Sequence, residues 1–273
     1  MLQINLSYFQ EITREHAPHL FDEVSRLSEK AGIKAPSIHV LKDVSTLPKP
    51  VQVMYEYLAA MAGESNLLLG NKIRSLLGHH DLKQPVTEEL SAVIAHELGH
   101  LKHNDIARSA KFASLSPWAG LAVGIAAFAL VEAYQKNQKN KQPPTPEENL
   151  SPEALKHADE EAKKAKSPEQ KLHSGLFRIA KYLAAATVGT IAGVFVMRAI
   201  LHRAEFRADR FSAELLEDGK PLANALTKFK QLKDNLLKET GIEETALGKF
   251  FENILHPNID KRIEKLQNWS RGK

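Results

Sequence analysis

The chain contains no cysteine among its 273 residues. Disulfides, thiolate metal sites and a cysteine nucleophile are therefore excluded, and any metal must be held by histidine and carboxylate. The absence leaves the compartment open, since a cysteine-free chain can live on either side of a membrane. Also missing is a basic stripe interleaved with aromatic rings. The net charge of +4 is spread over scattered lysines and arginines, so it describes a solvated surface rather than a nucleic-acid interface. The opening residues, MLQINLSYFQEITREH, lack a charged stretch followed by an apolar run. No signal peptide is expected, and the first hundred residues should stay on the side where they were made. What is present fits a folded protein: 43% hydrophobic and 26% charged residues, in a chain long enough for one large domain or two small ones.

Hydrophobic spacing predicts an amphipathic helix from about Tyr8 to Ala31, through Phe9, Ile12, Leu20, Phe21, Val24 and Leu27, closed by Gly32. Ser37 to Leu41 alternates like a short strand, and Asn66 to Leu69 reads as a second. Between them Pro48 and Pro50 mark a loop, and Val51 to Met61 reads as a helix. Thr87, Glu88 and Glu89 open a helix that should run through His103.

Two uncharged runs follow. Phe112 to Val131 is twenty residues long, and a helix of that length rises about 30 Å, the thickness of a bilayer core. Tyr182 to Met197 has sixteen residues and extends back to Leu176 if Arg178 and Lys181 snorkel. Gly120 with Gly124, and Gly189 with Gly193, would let two helices approach closely. A membrane hairpin is expected, with a buried hairpin in a soluble helical protein as the other reading. The polar stretch between the runs begins as linker and continues as a charged segment from Glu153 to Lys166, without visible chemistry. After the second run the helix should continue through Glu205 and end near Gly219, and Pro221 should start another.

The sharpest signal is His96-Glu97-Leu98-Gly99-His100. Residues four apart share a helix face, so both imidazoles can reach one metal ion. Glu97 sits on the neighbouring flank, where it can take a proton from water at the metal without becoming a ligand. The apolar lead-in, Ala92 to Ala95, places the motif on a buried helix. A third ligand is required. The positions that would hold a further histidine in the metzincin pattern carry His103 and Ile106. Glu205, in Glu205-Phe206-Arg207-Ala208-Asp209, is the best carboxylate candidate, and Asp209 one turn on can orient a ligand imidazole. His79 and His80 read as exposed loop residues. They receive no role, and neither do His103, His157 and His173.

AVIAHELGHLKHND followed by HRAEFRADRFSAELL resembles the membrane zinc metallopeptidases of the HtpX and CAAX prenyl protease type. His256-Pro257, with Arg262 shortly after, is similar to that family's late His-Pro element. The resemblance implies a gluzincin fold, one zinc ion per chain and endopeptidase activity, with His256 donating to the substrate carbonyl or oxyanion. On its own, His256 reads as a core or surface histidine beside a helix-starting proline. Arg262 is either the partner of a carboxylate near the site or a solvated side chain. Two features depart from the family pattern. No apolar segments precede the zinc motif, and the usual Asn-Ala-Phe segment is replaced by the region Glu64 to Leu69, whose NLLLG is expected to offer a strand edge to an extended peptide.

These readings combine into a mainly α (α+β) zincin-like peptidase with a small β-sheet and an inserted hydrophobic helical hairpin. Residues 1–110 and 199–273 would form the peptidase domain, and 111–198 the hairpin with a polar loop at 135–175. The expected function is zinc-dependent hydrolysis of peptide bonds in membrane-associated protein quality control or processing. Catalysis would rest on Glu97 and His256, metal binding on His96, His100 and Glu205, and their support on Asp209 and Arg262. Expected partners are polypeptides, in particular membrane proteins or membrane-proximal segments, together with the lipid bilayer, and no nucleic acid. The expected site is a bacterial inner membrane with the catalytic part facing the cytoplasm. The alternatives are a catalytically silent zinc-binding membrane scaffold and a soluble, self-associating metallopeptidase.

Overall fold

Proline at position 18 decides where the first helix begins. Its fixed φ and missing N–H suit the first turn, and helix α1 spans Pro18–Ala31, closed by Gly32 in the left-handed region at φ 65. The expected helix is therefore shorter at its start, and Phe9–Ile12 form strand β1 instead. In the strand Phe9 and Ile12 are both buried, and β1 pairs antiparallel with β2, Ser37–Leu41. The computed structural model describes residues 5–48, 52, 55–62, 65–105, 107–112, 168–240 and 257–271, with single positions at 114, 122, 126, 134, 153 and 156; for 168–182, 185, 188 and 236–240 it describes the backbone alone.

Two further strands complete a mixed sheet: β3, Ala59–Ala62, and β4, Asn66–Leu69, in the order β1-β2-β4-β3. β4 runs parallel to β2 and antiparallel to β3. Leu67, Leu68 and Leu69 are each 0% exposed, as a continuous apolar strand covered on both faces should be. This overturns one expectation: NLLLG is an interior strand, and among the described residues the edge strands are β1 and β3. It also corrects the helix expected up to Met61. Ala59–Ala62 carries no strong local preference, and pairing with β4 decides its conformation.

Helix α2 spans Asn71–Leu76 and α3 spans Glu88–Lys102. The Thr87 side chain caps α3 by accepting from Leu90 N–H. From Leu90 to Gly99 every residue of α3 is buried, because the helix packs against β3, α1 and α5. Helix α4 spans Pro168–Leu216, α5 spans Lys220–Thr240 and α6, packed on α5, spans Ile259–Arg271. Leu20, Leu27, Ile38, Leu67, Ile94, Leu98 and Leu222 fill the core. The fold is mostly helical with a small mixed sheet, as anticipated.

The chain forms two compact units, one joining Met1–Phe112 to Met197–Lys273, the other Ala113–Val196. In the second unit, Leu183, Ile191, Phe195 and Val196 are each more than half exposed on α4. Among the described residues no helix is long and apolar enough to cross a membrane. Most of the first apolar run and of the polar loop lies outside the described residues, so they define no inserted hairpin.

Candidate active site

The site grows from one missing side chain. A Cβ on Gly99 would stand 3.1 Å from the Ala208 Cα and 3.1 Å from Phe211 Cδ1. Its absence lets the last turns of α4 lie directly on α3. Ser212 fastens the contact by donating its hydroxyl to the Ala92 carbonyl at 2.8 Å. His96 and His100 flank Gly99 on α3, and Glu205 and Asp209 flank Ala208 on α4. The close crossing therefore brings the two pairs face to face.

The two imidazole Nε2 atoms are 3.1 Å apart. Glu205 carboxylate oxygens lie 3.8 Å from His96 Nε2 and 3.7 Å from His100 Nε2. One ligand atom from each of the three residues falls within 4.8 Å of the others. Donors around a tetrahedral zinc sit about 3.3 Å apart, given bond lengths near 2.0–2.1 Å. Two imidazoles and a carboxylate are also the donor set of catalytic zinc sites that keep a place for water. The residues fit the ion.

Behind the nitrogens stand carboxylates. His100 Nδ1 hydrogen-bonds Asp105 Oδ2 at 3.0 Å. His96 Nδ1 is 3.0 Å from Asp209 Oδ1, an ion-pair distance without the alignment of a hydrogen bond. An acceptor at Nδ1 favours the tautomer that leaves Nε2 free. Arg262, from α6, donates from Nε and Nη2 to Asp209 at 2.8 and 2.6 Å, and its Nη1 pairs with Glu205 at 2.7 Å. Arg262 and Asp209 are buried, 8% and 4% exposed, and the His100 and Glu205 side chains are each 15% exposed. Burial pushes the Asp209 carboxyl upward, but the His96 and Arg262 contacts outweigh it and hold the group below its usual range. Asp105 behaves alike: burial raises it, and His100 and Arg207 together bring it below its ordinary value.

Glu97 lies on the flank of α3 that faces β3. Its Oε2 accepts a hydrogen bond from Met61 N–H at 3.0 Å. Burial pushes its carboxyl above the ordinary value; the imidazoles of His100 and His96 pull it down, and Glu205 pushes it up. A carboxylate raised in this way is better matched to taking a proton near neutral pH.

Of the residues singled out in the sequence, His96, Glu97, His100, Glu205, Asp209 and Arg262 come together. His256 lies outside the described residues. His79 is not an exposed loop residue: it is 0% exposed, and neither ring nitrogen has a partner. His80 is exposed as expected. His103 caps α3, bonding the Gly99 carbonyl at 2.7 Å. The sequence reading passed over Asp105, Arg207 and Met61. Asp105 carried a faint signal, a carboxylate just past the end of the ligand helix, whereas the Met61 amide carried none, because its role depends on strand pairing.

Donor chemistry and kinship agree on the class: the protein is a metallopeptidase, a hydrolase of peptide bonds. The chain belongs to peptidase family M48, whose model matches residues 74–270, well over half its length. It is similar to the protease HtpX homologs of Burkholderia mallei (strain SAVP1), Burkholderia pseudomallei (strain 668) and Burkholderia thailandensis. With each it shares 23% identity over 274 residues, covering 96% of this chain and 78% of the relative. No solved structure matches.

Proposed function

We propose that the protein is a zinc-dependent metalloendopeptidase of the gluzincin type, with His96, His100 and Glu205 as ligands and Glu97 as general base. The convergence of two Nε2 atoms 3.1 Å apart with a carboxylate at 3.7 and 3.8 Å carries the reading. Zinc, when bound, supplies Lewis acidity: it polarises the scissile carbonyl and makes water acidic near neutrality. Glu97 takes the proton from the attacking water and returns it to the leaving amine. Asp209 holds the imidazole of His96, and Arg262 holds Asp209 and Glu205 in place. His256 is proposed as a donor to the substrate carbonyl on the strength of the resemblance alone.

The edge strand β3 would carry the substrate. Leu58 C=O accepts from Gly70 N–H at 2.8 Å, so alternation turns the polar groups of Ala60 toward β4 and those of Ala59 and Met61 away from it. There the Met61 N–H already donates to Glu97, and its carbonyl and the Ala59 groups are the ones offered to a peptide. An extended peptide can add to this edge and continue past the site in both directions, which supports endopeptidase action. A peptide N-methylated where it should donate to β3 is expected to bind at least about tenfold more weakly than its parent. Equal binding would refute the placement.

The proposed domain organisation is a peptidase domain from 1–110 and 199–273 with an apolar hairpin at 111–198 between them. A bilayer is the proposed environment, supported by the two uncharged runs and by the exposed Leu183, Ile191, Phe195 and Val196. Substrates would be membrane proteins or membrane-proximal segments, cut in quality control or processing on the cytoplasmic side of a bacterial inner membrane. The deciding experiment combines metal analysis with cleavage of a casein-type substrate, with and without chelator. Glu97→Gln is expected to keep zinc and lose hydrolysis. Undiminished cleavage by that variant would refute the assignment.

A further inference from the structure

The two histidines are supported by parallel sets of side chains. His96 is backed by Asp209, and Asp209 by Arg262. His100 is backed by Asp105, and Asp105 by Arg207. We propose that Arg207 is a positioning residue for metal binding: through Asp105 it locks the His100 ring with Nδ1 protonated and Nε2 turned toward the ion. The inference rests on the zinc reading above.

The backbone explains how Asp105 reaches the ring. Helix α3 ends at Lys102, His103 caps it, and Asn104 takes a left-handed conformation at φ 54. Asparagine enters that region more readily than other residues with a Cβ. At the next residue the carboxylate of Asp105 meets Nδ1 of His100. The Asp105 side chain is 6% exposed, so its charge needs more than one neutral imidazole to balance it. Arg207 supplies the balance on the other oxygen, Oδ1. It lies two residues beyond Glu205 and leaves α4 on a different side from Glu205 and Asp209. One short stretch of α4 thus supplies a candidate ligand and props for both histidines.

If Arg207 only stapled the end of α3 to α4, removing it would lower the melting temperature and leave metal affinity alone. A positioning residue moves affinity and tautomer instead. The test measures zinc affinity of the full chain by chelator competition, well below the melting temperature of every variant. It is paired with 15N shifts of the His100 ring in the metal-free protein. Arg207→Met is expected to weaken zinc binding by about 10- to 100-fold and to mix the His100 tautomers. Arg207→Lys should recover most of both. Asp105→Asn should weaken binding at least as much, and adding Arg207→Met to it should cost little more, because the arginine acts through the aspartate. Arg210→Met, which removes an exposed pair with Glu214 on the same helix, should match the parent.

Two results would overturn the proposal: Arg207→Met within about two-fold of the parent with a single tautomer, or effects that multiply in the double variant. Should Asp105→Asn fail to fold, the Arg207→Met and Arg207→Lys pair with the ring shifts still decides. A parent chain that binds no zinc would remove this proposal and the zinc reading together. A parent that binds zinc while Arg207→Met is indistinguishable from it would remove this proposal alone.

Discussion

Replacing Gly99 with alanine sets two effects against each other. Alanine in a helix interior is favoured over glycine by about 1 kcal/mol. The new Cβ, however, would lie 3.1 Å from Ala208 Cα and 3.1 and 3.3 Å from Phe211 side-chain carbons, where ordinary carbon contacts are about 3.5–4.0 Å. Phe211 can rotate, but a backbone Cα cannot, so α4 must retreat by a few tenths of an ångström. Overpacking of this kind costs about 1–3 kcal/mol, which leaves a net loss of about 0–2 kcal/mol. The larger consequence falls on the metal site. Glu205, one turn before Ala208, retreats from imidazoles that already stand 3.7 and 3.8 Å away. Misplacement by about 1 Å can cost 100-fold in rate, so a few tenths should cost roughly three- to tenfold in kcat/KM. Zinc affinity should fall with it. Urea denaturation, chelator competition and peptide cleavage measured on one preparation test this. If Gly99→Ala is about 1 kcal/mol more stable and cleaves at the parental rate, the two helices do not meet as described.

Two further substitutions probe the buried charges. Arg262→Met leaves Asp209 and Glu205 without their shared cation and should destabilise the fold by about 3–5 kcal/mol. Arg262→Lys should restore only part, because lysine cannot reproduce the fork on Asp209; an unchanged urea midpoint for Arg262→Met would contradict this. His79→Leu should instead stabilise by about 1–3 kcal/mol, since it removes two buried nitrogens that have no partner. Burial, and secondarily the charge of Arg74, hold the His79 ring below the ordinary 6.5. On acidification below that value the unfolded chain takes up a proton that the folded chain resists, so stability falls. The advantage of the leucine variant should therefore widen from pH 8 to pH 5, and a constant difference would show that folding does not lower the affinity of His79 for its proton.

The helices were legible because their signals are local. Thr87 with two following glutamates marks the start of α3, and the spacing of His96 and His100 places both rings on one face whatever surrounds them. Glu205 could be selected from far along the chain because two imidazoles need a third donor of a different kind. The sheet was less legible. Ala59–Ala62 is small and apolar, with nothing in it to separate a helix end from a strand, and its partner β4 settles the matter. Position in the sheet is equally non-local: NLLL reads as a strand, but only pairing on both sides makes it interior. Phe9–Ile12 shows the reverse error, since its apolar spacing continues that of α1 while Pro18 breaks the helix between them. Asp105 escaped notice because a bend at Asn104 brings it to the ring, and Arg207 because it touches the site only through Asp105.

The crossing of α3 on α4 has one more consequence. It fixes the chain at Gly99 and again at Ala208, so two positions far apart in the sequence are held together by packing. The entropy of bringing such distant positions together grows slowly with the intervening length, by about 0.6 kcal/mol for each doubling where a stretch is flexible. The number of residues between the two ligand-bearing helices is therefore a weaker constraint on the site than the close approach that Gly99 allows.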